Sequence, residues 1–75
     1  WQRPGLSKRD RSLITIAALM VMGRGEQLSH HMGLGLDNGV TKDEISELIF
    51  HLAFYGGWPT ASDAVFVAKE VFDSK

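Results

Sequence analysis

Thr41-Lys42-Asp43-Glu44-Ile45-Ser46-Glu47-Leu48-Ile49-Phe50-His51-Leu52-Ala53-Phe54-Tyr55-Gly56-Gly57 is the stretch that decides the fold. Thr41 with Glu44 forms a capping box, in which the hydroxyl accepts from a free backbone N–H and the carboxylate reaches back to another. Ile45, Leu48, Ile49 and Leu52 recur at three-and-four spacing, the core stripe of an amphipathic helix. Gly56-Gly57 ends it, because glycine enters the left-handed region without steric cost. Phe50 and Phe54 fall more than roughly 100° away from the stripe by the helical period. This helix therefore has two apolar sides.

Working outward, helical punctuation continues in both directions. Ser7 followed by Asp10 is a weaker capping box and opens a helix that runs to about Met22, with Gly23 as its stop. A second helix spans roughly Gly25 to Asp37 and is closed by Asn38-Gly39. Pro59 suits the first turn of a fourth helix, continuing to about Phe72. No strand-like alternation, repeat or long linker interrupts this order. The expectation is a single all-α domain over residues 1–75, a short four-helix unit.

The first helix leaves almost no polar face between Leu13 and Met22, and a helix that is apolar all round should be covered all round. Four short helices cannot supply that cover. A chain of 75 residues buries only roughly 60% of its unfolded surface, so small domains lean on disulfides, metals or self-association. Cysteine is absent, which removes disulfides and thiolate zinc sites and fits a reducing, cytoplasmic setting. Homo-oligomerisation is the expected remedy; the competing reading is cover from a further part of a longer chain. Trp1 is no initiator, which fits a native chain longer at its N-terminus.

Eight basic and nine acidic residues nearly cancel. That balance argues against a general grip on nucleic acid or on an anionic membrane surface. The Arg3, Lys8, Arg9, Arg11 cluster reads as a solvated helix start. The apolar run from Leu13 to Met22 is far short of the ~20 residues that span a bilayer. Gly23-Arg24-Gly25 is no phosphate loop, since no strand precedes it. Gly33 and Gly35 sit inside a helix at a cost of roughly 1 kcal/mol each against alanine, a pattern that points to close helix packing.

Three features carry candidate chemistry. Glu47 and His51 stand four apart on the third helix and share one surface, beside Phe50 and Phe54. Acid and imidazole near large apolar groups is a setting for proton transfer; an intrahelical contact that satisfies a partly buried histidine is the plainer reading. In His30-His31, His31 falls at the edge of the buried side marked by Leu28, Met32 and Leu36, and His30 faces solvent. Neighbouring histidines diverge by about 100° and do not chelate one ion. His31, Glu47 and His51 have ligand types suited to a metal, but no spacing demands it, and none is expected. Tyr55-Gly56-Gly57-Trp58-Pro59 leads into a helix N-terminus, a place that favours a carboxylate; it reads equally as a plain turn with an aromatic plug.

The order of these blocks resembles the carboxymuconolactone decarboxylase family. Ser7 through Thr15, Ala17-Ala18-Leu19, Gly23-Arg24, Leu28 and His31 match its first half. Leu36 through Thr41, Glu44-Ile45, Glu47 through His51, Ala53, Tyr55 through Pro59 and Ala61 match the rest. The blocks cover about Leu6 to Phe72 and are specific for the family rather than for one substrate. The resemblance implies an AhpD-like all-helical fold assembled as a trimer, hexamer or related ring. It implies a cofactor-free carboxy-lyase that converts gamma-carboxymuconolactone to an enol-lactone in the beta-ketoadipate pathway of aromatic breakdown. One branch of the superfamily instead carries a Cys-x-x-Cys pair and reduces peroxide. Here that stretch is Tyr55-Gly56-Gly57-Trp58, and without a thiolate nucleophile a dithiol peroxidase mechanism is excluded.

Decarboxylation of this kind needs donors where negative charge develops and an acid that protonates carbon afterwards. His51 or His31 is the expected acid, with Glu47 orienting a histidine. Arg11 is a candidate for holding a substrate carboxylate, with an interhelical salt bridge as its alternative. Tyr55, Gly57 and Trp58 complete the expected substrate contacts. The rival function is a non-catalytic oligomeric domain that binds a small metabolite, or the same scaffold acting on another substrate.

Overall fold

The computed structural model describes residues 3–74; Trp1 lies outside them. Four helices follow in order, α1 (Lys8–Met22), α2 (Gly25–Asp37), α3 (Lys42–Gly56) and α4 (Trp58–Ser74), and no strand occurs among the described residues. The last helix begins one residue before Pro59 and ends two beyond Phe72.

Caps account for the boundaries. Ser7 Oγ accepts from the Asp10 N–H at 3.0 Å, while the Asp10 carboxylate pairs with Arg9. At the other end of α1, Gly23 takes a φ of 73°, its N–H donates to the Met20 carbonyl and the Arg24 N–H to the Leu19 carbonyl. Those two bonds form a Schellman stop. At α3 both halves of the capping box close: Thr41 Oγ1 accepts from the Glu44 N–H and Glu44 Oε1 from the Thr41 N–H.

The core is assembled from one stripe of each helix. Ile16 and Met20 of α1 meet Leu28 and Met32 of α2, Ile45 and Ile49 of α3, and Ala64 and Ala68 of α4. Close approach of α1 and α2 depends on Gly35, since a Cβ built there would stand 2.9 Å from Cδ1 of Ile16. The packing role expected for that glycine is met. Beside it the buried Ser12 hydroxyl accepts a hydrogen bond from Asn38 Nδ2 at 3.0 Å, tying α1 to the end of α2.

The surplus apolar surface expected of this chain is present. Ile14, Met22, Phe50, Phe54, Tyr55, Trp58 and Phe66 are all more than half exposed in the isolated chain. No helix among the described residues is long and apolar enough to cross a membrane.

Candidate active site

Two neighbour relations show how α1 lies along α3. Arg9 pairs with Glu44. A Cβ placed on Gly56 would sit 3.5 Å from Cγ2 of Val21. Both pairs are 35 positions apart in the chain, so the helices run side by side in the same direction, in one register. Leu13 is thereby level with Leu48, and Ala17 with Leu52.

Between these helices lies an open groove of about 610 Å³, within the range of small-molecule sites. Leu13, Ile14 and Ala17 of α1 and Leu48 and Leu52 of α3 form its apolar walls. Along one edge stand Asp43, Glu44, Glu47 and His51. Glu47 and His51, both exposed, are one turn apart and line the same groove. The ring of Tyr55, the next turn on, rests against His51 with centroids 5.2 Å apart.

Other residues singled out from the sequence fall elsewhere. His31 is half-buried on α2, its ring edge-on to His30 at 5.3 Å, and it does not line the groove. Arg11 donates from Nε to the Leu6 carbonyl and from Nη2 to the Arg3 carbonyl, holding the segment before α1. Gly57 has φ 95° and caps α3 through its N–H to the Ala53 carbonyl. Trp58 packs on Phe54, itself edge-on to Phe50, and walls a second groove of about 410 Å³ between α3 and α4. The chain therefore brings Glu47 and His51 together on the groove with Tyr55 against the His51 ring, while His31, Arg11 and Trp58 lie outside its lining. Among the described residues no three His, Asp or Glu side chains converge as metal ligands.

Groove residues without a sequence signal are Asp43, Leu13, Ile14 and Ala17, and Leu48 and Leu52 read there only as core. Glu44 was recognised only as a cap, although its second oxygen also clamps Arg9 across the groove's end. Besides His51, the lining holds no basic residue to set against these carboxylates. Glu44 is matched by Arg9 from outside the lining.

The four helices place an acid and an imidazole one turn apart on an open groove between α1 and α3. The chain belongs to the carboxymuconolactone decarboxylase family, whose model matches residues 1–70. It is 49% identical over 72 residues to a 4-carboxymuconolactone decarboxylase of Acinetobacter baylyi, covering 96% of this chain and 54% of that one. It is 36% identical over 73 residues to a nitrosuccinic acid decarboxylase of Metarhizium robertsii, covering 97% of this chain and 51% of that one. An uncharacterised 15.0 kDa protein of Paracoccus denitrificans is 36% identical over 74 residues, covering 96% of this chain and 55% of that one. The chain thus spans about half the length of the curated relatives it matches.

Proposed function

We propose that the chain is the catalytic unit of a cofactor-free decarboxylase for a small carboxylated lactone, with the α1–α3 groove as its reaction site. The observation that carries this is the placement of Glu47 and His51 one turn apart on an apolar groove of about 610 Å³. The 4-carboxymuconolactone decarboxylase of Acinetobacter baylyi supports the substrate class.

In the proposed step the bond to the departing carboxyl carbon breaks and carbon dioxide leaves. The electron pair left behind delocalises to the lactone carbonyl, which a donor must stabilise. His51, as imidazolium, then gives its proton to carbon, and Glu47 orients the ring and balances its charge. Neutral His51 recovers its proton from solvent. Of the two histidines expected as donors, His51 is preferred because His31 does not line the groove.

An anionic substrate is repelled by Asp43 and Glu47, and the groove's lining holds no lysine or arginine to offset them. We therefore propose that the site is completed by a neighbouring protomer in a trimer or hexamer, which also covers the exposed aromatics and excludes water. The name of the Metarhizium robertsii relative favours one alternative, an acyclic acid in place of the lactone.

An ultraviolet assay with the purified full-length protein tests the reading. Wild type should deplete a carboxylated lactone, and Glu47→Ala and His51→Ala should each lose more than about tenfold in turnover. Full activity in both variants overturns the site, and an inert wild type on a panel of lactone and acyclic acids overturns the reaction.

A further inference from the structure

We infer that Ala17 sets the size of the molecule accepted beside His51, acting as the specificity-determining residue of the α1–α3 groove. The inference rests on that groove being the substrate site proposed above. The register fixed by Arg9–Glu44 and Val21–Gly56 puts Ala17 level with Leu52, immediately next to His51 in the chain. Ala17 and His51 both line the cavity.

Among the lining residues Ala17 is the smallest, and the others on the apolar walls are Leu13, Ile14, Leu48 and Leu52. An alanine among branched aliphatics leaves its missing side-chain volume as open space on the wall of the groove that His51 also lines. A planar ring fits over a single methyl group where a leucine at the same position would occupy that room. Ala17 is only half-buried, and it sits within α1, where larger unbranched-at-Cβ residues are tolerated. Its size therefore tunes the groove without being required by the core, which uses Ile16 and Met20 on the neighbouring face. The ligand class that follows is a ring acid, with acyclic acids depending less on residue 17.

The experiment is a graded series, Ala17→Gly, Ala17→Val and Ala17→Leu, in the full-length protein, with folding checked by circular dichroism. Each variant is assayed on a carboxylated lactone and on an acyclic nitro-dicarboxylate. Ala17→Leu is expected to lower kcat/KM for the ring by roughly 10- to 200-fold relative to the acyclic acid, the range seen when methylene-sized changes alter a pocket. Ala17→Gly should leave the ratio near that of wild type. If Ala17→Leu fails to fold, Ala17→Val decides, with a smaller shift in the same direction. Equal effects on both acids, or no effect, overturn the inference.

A second readout does not depend on turnover. Benzyl alcohol, as an uncharged ring probe, should perturb the NMR methyl signals of Leu48 and Leu52 in wild type and not in Ala17→Leu. If wild type decarboxylates neither acid, the function proposed above fails, and this probe alone decides the role of Ala17. Unchanged perturbation in Ala17→Leu overturns it.

Discussion

Arg9 and Glu44 form an ion pair that joins the first turn of α1 to the first turn of α3, and Glu44 makes it with the carboxylate oxygen not used to cap Thr41. One side chain thus caps the start of α3 and reaches across to α1. Thr41→Ala removes half the capping box and should cost about 1 kcal/mol in urea denaturation. Both partners of the pair are partly solvent-exposed, so a double-mutant cycle on Arg9 and Glu44 should give a coupling below about 1 kcal/mol that shrinks as salt is added.

Gly35 and Ile16 are predicted to be coupled more strongly. Gly35→Ala gains helix propensity of roughly 1 kcal/mol but drives a methyl into Cδ1 of the fully buried Ile16. The net expectation is destabilisation by about 1 kcal/mol. Ile16→Val removes the obstructing carbon, so Gly35→Ala in that background should be neutral or stabilising. Thermal and urea melts of the four proteins read this, and simple additivity would contradict it.

Electrostatics of the groove gives a kinetic prediction. Asp43 is exposed and lines the edge that also carries Glu47 and His51. Asp43→Asn should lower KM for a carboxylated lactone by about two- to fivefold at low ionic strength, with kcat little changed. The difference should fade in high salt, where exposed charges are screened. A higher KM would show that Asp43 binds substrate instead of repelling it.

Self-association is predicted to run through the aromatic ladder on the other side of α3. Phe54 is 67% exposed and stacks edge-on with both Phe50 and Trp58. Light scattering of the wild type should report a species of roughly three or more times the 8.3 kDa chain mass. Phe54→Ser should shift it toward smaller species at low protein concentration. A well-folded wild-type monomer contradicts the proposal.

Local signals in the chain were sufficient for the helices. Thr41 and Glu44, Ser7, Gly23 and Gly57 each act within a few residues, and caps of that kind are readable from types and spacing. The same holds for Glu47 and His51, whose shared surface follows from the helical period alone. The opposite wall of the groove was not readable, because nothing local states that Ala17 comes level with Leu52. That depends on the tertiary register, which the Arg9–Glu44 and Val21–Gly56 neighbours mark. Arg11 shows the same limit from the other side: its charge suggested a substrate anchor, but backbone carbonyls of Leu6 and Arg3 occupy its guanidinium. The half-buried edge position of His31 follows from the helical period, while its absence from the α1–α3 groove has no sequence signal.

The central claim is that His51, in the groove with Glu47, meets the substrate. NMR of the histidine ring signals during titration with a non-reactive carboxylated lactone reads this directly, with His30, His31 and His51 assigned by single substitution. The His51 ring should shift and saturate with the ligand, while the His30 and His31 rings stay in place. Movement of the His31 ring with a silent His51 would contradict the account.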